Sequence, residues 1–98
     1  MPADPLTPLL ASVLEEYVRR RREEERLAAL VLTGFEPAKS AKVKRSEVYR
    51  YVAERLGRPV SNELSVAVRD AVCRLPGVML SVSDGRARFL GLRRRPTE

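Results

Sequence analysis

Asp84-Gly85 stands between two runs of β-type residues, Val78 to Ser83 before it and Arg86 to Leu92 after it. A two-residue type I′ turn is the connection whose twist suits an antiparallel pair, and it needs a positive φ at both positions, which Asp-Gly accepts. Such a turn sets the pairing. Ser83 faces Arg86, Val82 faces Ala87, Ser81 faces Arg88, Leu80 faces Phe89 and Val78 faces Gly91. Side chains alternate between the faces of a strand. Val82, Ala87, Leu80 and Phe89 therefore share an apolar face, and Ser81, Ser83, Arg86 and Arg88 share a hydroxyl and guanidinium face at the tip. That is either a wing that grips a polyanion or an exposed sheet edge guarded by charge. The hairpin alone does not choose between them.

The remainder of the chain supplies helices. Pro2, Pro5 and Pro8 mark residues 1–7 as an extended, flexible N-terminus. Thr7 followed by Pro8 predicts a helix entry, a capping hydroxyl ahead of a proline at the first helical position. From Leu9 to Leu32 nothing breaks a helix, and Gly34 ends it, which gives a long N-terminal helix over residues 8–34. It carries two apolar stripes, Leu10/Val13/Leu14/Tyr17/Val18 and Leu27/Leu30/Val31. The charged run Arg19–Arg26 between them places Arg and Glu four residues apart repeatedly, the pattern of a solvated, self-neutralising face. Val43, between Lys42 and Lys44, predicts a short strand at 42–44. Ser46 predicts the cap of a second helix ending at Gly57, with Val48, Tyr49, Val52 and Leu56 inward. Ser61 predicts the cap of a third, stopped by Pro76-Gly77, with Leu64, Ala67, Val68, Ala71 and Leu75 inward. The order helix–strand–helix–helix–strand–strand (H1-S1-H2-H3-S2-S3) is α+β and is that of a winged helix, whose third helix is the recognition helix.

Charge is uneven along this order. Of 19 basic residues 16 are arginine, and the net charge is +6. Residues 1–38 hold five Arg against seven Asp/Glu, whereas residues 39–98 hold fourteen Lys/Arg against six Asp/Glu. The basic part is thus where a polyanion would be met. With no histidine in the chain, the usual general base and metal ligand is missing. Cys73 is the sole cysteine and has no partner for zinc or for a disulfide. The expectation is a binding protein and not an enzyme, with no metal and no cofactor. No stretch has the length and apolarity of a membrane span or leader, so a cytoplasmic protein is expected.

The stretch KVKRSEVYRYVAERLGRPVSNELSVAVRDAV, with DGRARFLGLRRR after it, resembles the C-terminal winged-helix domain of phage, plasmid and poxvirus-type primase-helicases. Val48-Tyr49, Pro59-Val60-Ser61, Gly85-Arg86 and Gly91-Leu92-Arg93 carry the likeness, over Phe35 to Arg95. It departs from that pattern in lacking the tryptophan that often follows the Leu-Tyr pair, and no ATPase or primase module accompanies it. The resemblance implies a DNA-binding accessory module, with a phage or mobile element as a source.

These readings predict residues 35–92 as a winged-helix DNA-binding domain and 93–98 as a basic tail. Asn62, Ser65 and Arg69 are expected on the outward face of the recognition helix, with Val66 and Cys73 beside them, where such side chains reach base edges. Arg86 and Arg88 would serve from the wing, and Lys39, Lys42, Lys44 and Arg45 would contact the phosphate backbone. Tyr49 and Tyr51 suit the core or base stacking. Leu10, Val13, Leu14, Tyr17 and Val18 are expected to dimerise the protein on double-stranded DNA. The competing function is a protein-interaction module that docks on a polymerase or helicase in replication or transcription.

Overall fold

The computed structural model describes the backbone of residues 6–96 and the side chains of residues 10–96. Its order is α1 (Leu6–Gly34), β1 (Phe35–Lys44), α2 (Arg45–Leu56), α3 (Asn62–Cys73), β2 (Met79–Ser83) and β3 (Arg86–Arg94). The strands form one antiparallel sheet in the order β1-β3-β2. This is an α+β fold of three helices and a three-stranded sheet, in a layout compatible with a winged helix.

The hairpin follows its turn chemistry. Asp84 (φ 52°) and Gly85 (φ 72°) both take positive φ, and Ser83, Val82, Ser81 and Leu80 pair with Arg86, Ala87, Arg88 and Phe89. Its apolar face is buried only at the base. Phe89 is fully buried and Leu80 partly so, while Val82, expected inward, is 66% exposed. The tip extends past the core that would cover it.

Four expectations change. The helix begins at Leu6, so Thr7 and Pro8 lie in its first turn and only residues 1–5 of the expected flexible segment fall outside the described residues. A proline is accommodated there because first-turn amides have no helical partner. Ser46 is not the cap of α2. The strand runs directly into the helix, Lys44 holds the cap position, and no side chain bonds there. β1 has ten residues instead of three, with Phe35 and Val43 buried near its ends. Pro37 pairs with Leu92 and Lys42 with Leu90, so β1 takes five steps where β3 takes two, and Ser40 (φ 66°) turns the bulge between them. Finally, Arg93 and Arg94 continue β3 opposite Glu36 and Phe35, so the expected tail from residue 93 is sheet as far as Arg94. Residues 97–98 lie outside the described residues.

The core joins Leu27 and Val31 of α1, Val48, Tyr49, Tyr51 and Val52 of α2, Leu64, Val68, Ala71 and Val72 of α3, and Val78, Phe89 and Leu92 of the hairpin. Val72 was not on the anticipated stripe, and Leu56, which was, is 41% exposed. Ala67 and Leu75 are partly buried against the cluster. Ser61 does cap α3, accepting a hydrogen bond from the Leu64 amide at 3.2 Å.

One corner orders these parts. Thr33 Oγ1 and the Tyr51 hydroxyl are 2.6 Å apart, and the Phe35 and Tyr51 rings meet edge to face at 5.3 Å. Gly34 sits between them, where a methyl group would stand 2.5 Å from Tyr51 Cε2 and 2.7 Å from its hydroxyl. Gly34→Ala must displace the ring, and a loss of roughly 2–4 kcal/mol is expected. Tyr51→Phe keeps the ring and loses only a hydrogen bond, for about 1 kcal/mol. Urea unfolding of the two variants checks the order. Equal losses would mean that the ring does not set the corner.

Candidate nucleic-acid interface

The face of the sheet turned away from the helices follows from strand alternation. Val43 and Phe89 pair and point into the core, so their neighbours point out. One outward row is Lys44–Arg88–Ser81 and the next is Lys42–Leu90–Met79, with the Arg86–Ser83 pair at the tip. A concavity on this face is lined by Lys42, Ser81, Ser83, Arg86 and Arg88, with Asp84 at the turn. A second lies between the hairpin tip and the start of α2, lined by Lys44, Arg45 and Ser46 on one side and by Arg86 and Arg88 on the other. The two depressions share Arg86 and Arg88.

The cations here differ from those elsewhere. Among the described residues no ion pair involves Lys42, Lys44, Arg45, Arg86 or Arg88. Asp84 is the one carboxylate lining either concavity. Several of the other arginines have carboxylate partners. Arg20 pairs with Glu16, Arg21 with Glu25, Arg74 with Glu24 at 2.6 Å, and both Arg93 and Arg95 with Glu36. Two concave surfaces with five unneutralised cations and two serine hydroxyls are suited to phosphate oxygens.

Arg45 and Tyr49 extend this surface toward α3. The Arg45 guanidinium lies over the Tyr49 ring at 5.7 Å. Burial pushes the Tyr49 phenol above its ordinary value, while Arg45 and then Arg69 pull it back. Arg69 also bonds Asp70 at 3.3 Å, an exposed contact with little hold on either group.

The expected site residues therefore separate. Lys42, Lys44, Arg45, Arg86 and Arg88 come together, and Arg69 lines neither concavity. Lys39 is exposed beside the β1 bulge and lines neither concavity. Ser65 is half-buried on α3. Asn62 faces a different partner altogether, a groove between α3 and α1 that also holds Glu23, Glu24, Glu63 and Asp70. That groove is acidic because α1 lies along α3, a helix contact that residue spacing does not disclose. Tyr49 and Tyr51 are both core residues, 7% and 5% exposed. The outward pair Met79 and Leu90, 66% and 38% exposed, was overlooked. The hairpin register already placed them opposite each other, one step beyond Leu80 and Phe89.

Comparison of the chain with protein-family models, with curated proteins and with solved structures found no match in any of the three.

The raised Tyr49 phenol has a consequence for stability. Its folded pKa lies above the unfolded value of 10.0, so the unfolded chain loses its proton first and stability falls as pH rises past about 10. Below that pH the contribution is fully present. The urea midpoint of the wild type should fall relative to that of Tyr49→Phe between pH 9 and 11. A gap that is constant with pH would show that burial does not shift this group.

Proposed function

We propose that this chain is a duplex-DNA-binding protein of winged-helix type, in which the hairpin and the outer sheet face lead the contact and α3 follows. The observation that carries the reading is the pair of concavities that converge on Arg86 and Arg88, with Lys42, Lys44 and Arg45 unneutralised around them. A wing must protrude from its domain to reach DNA, and the exposed Val82 marks a tip that overhangs the core. Arg69 of α3 is assigned the base-edge contact, whereas Asn62 lines the acidic groove and is assigned no DNA contact. This binding role, in regulation or as a replication accessory, requires no catalytic residue, metal or cofactor.

The α1–α3 groove supports a second reading. Its carboxylates, with Val66 47% exposed among them, would suit a basic segment of a replication or transcription protein.

Five phosphate contacts give a slope of about −4 to −5 for log affinity against log salt on random duplex DNA. Arg86→Ala and Arg88→Ala are each expected to weaken binding to every sequence and to make the slope shallower by about 1. Arg69→Ala should alter preference at one base pair by about 1–3 kcal/mol, and Asn62→Ala should change nothing. Fluorescence anisotropy between low and moderate salt measures all four. No binding at low salt overturns the DNA reading. A loss for Asn62→Ala equal to that for Arg88→Ala returns α3, rather than the sheet face, to the centre of the interface.

A further inference from the structure

Much of α1 has nothing to pack against. Its side chains enter the body only from Glu24 and Leu27 onward, and every residue from Leu10 to Glu23 is exposed. The described molecule measures 63 × 28 × 24 Å, and a helix of 29 residues is about 43 Å long. On the projecting half, Leu10, Val13, Leu14 and Tyr17 are 62%, 61%, 61% and 54% exposed, and Val18 is 44% exposed. We propose that this stripe is covered by the same stripe of a second copy, with the two helices antiparallel and the two-fold axis at Leu14.

The pattern of the stripe supports that occupant. Its members are nearly symmetric about Leu14, so an antiparallel two-fold sets Leu10 against Val18, Leu14 against itself and Tyr17 over Ala11. Four of the five apolar side chains then meet an apolar one, and Val13 meets Glu15. The charge pattern fixes the direction. Parallel helices would stack Arg19–Arg22 on the same run of the partner and Glu23–Glu25 on theirs. Antiparallel pairing about Leu14 leaves both runs beyond the core of the overlap. Some flanking charges also have partners within their own helix. Glu16 holds Arg20 at 3.0 Å, and Arg21 donates to the Tyr17 hydroxyl at 3.2 Å.

The apolar area of the stripe is close to what a specific interface needs. The five side chains expose on the order of 500 Å² per copy, so pairing removes about 1,000 Å², the lower end for a specific complex. The inference is independent of the DNA reading, because no residue of the basic face takes part.

Sedimentation of the full chain tests it. The wild type is expected to run as a dimer at about 100 μM and to dissociate on dilution. Leu14→Glu should be monomeric at every concentration while its body retains cooperative unfolding. Direction is tested by disulfide trapping with Cys73 replaced by Ser. Leu14→Cys should oxidise to a covalent dimer, and Leu10→Cys should do so only when mixed with Val18→Cys. A wild type that stays monomeric at 100 μM overturns the proposal, as does a Leu10→Cys chain that cross-links to itself faster than Leu14→Cys.

Discussion

The contact between the Gly34 backbone and the face of Tyr51 is the constraint on which the rest of the molecule depends. At this point α1 stops, β1 starts, α2 presents its tyrosine and β3 arrives with its last residues. Any side chain at residue 34 would occupy the space of the ring, so the close approach is available only to glycine. Around it, Arg94 lies over both Phe35 and Tyr51, at 5.2 and 4.8 Å. Arg95 donates from its backbone to Gly34 O at 2.9 Å and from Nε to Leu32 O at 2.7 Å. Those carbonyls belong to the last turn of α1, where helical partners run out and a cation is also favoured by the helix dipole. The end of the chain thus caps the end of the first helix and closes the sheet on the body.

This corner explains how arginines of one chain come to hold different roles. Arg93, Arg94 and Arg95 are used by the fold, bound to Glu36, to two aromatic faces and to helix carbonyls. Arg20 and Arg21 of α1 are matched by glutamates one turn away. At most a few tenths of a kcal/mol come from each such pair. Arg86, Arg88, Lys42, Lys44 and Arg45, in no ion pair among the described residues, line the two concavities at the outer sheet face and the start of α2. Cations held on strands lose little freedom on binding, which favours a phosphate contact there over one made by a mobile tail.

How far this was legible depends on the range of the interaction concerned. The hairpin was readable to the residue, because Asp84-Gly85 imposes both the turn and the pairing from Leu80 to Phe89 with nothing distant involved. The Ser61 cap and the Gly57 stop were readable for the same reason. β1 was not. Phe35 and Val43 are separated by polar residues and a bulge, and only β3 alongside them makes a strand of the whole segment. Arg93 to Arg95 looked like a tail because three consecutive arginines have no apolar alternation, and their partners lie far back in the chain, from Leu32 to Tyr51. Alternation alone put Arg86 and Arg88 on one face of the hairpin. That Asn62 lines a groove beside α1 was not legible, since its outward position on α3 says nothing of the acidic flank there.

By itself, then, the sequence determined the elements and their order, the register of the hairpin, and the excess of positive charge after residue 38. Each of these is set by chemistry between near neighbours: capping groups, turn dihedrals, side-chain periods. The tertiary structure alone decided which cations stay free, which face of α3 is open, and where α1 leaves the body. Those outcomes depend on contacts between residues far apart in the chain, Glu24 with Arg74, Glu36 with Arg93, Gly34 with Tyr51. No local pattern encodes such a pairing, because it exists only once the core has brought both partners to the same place.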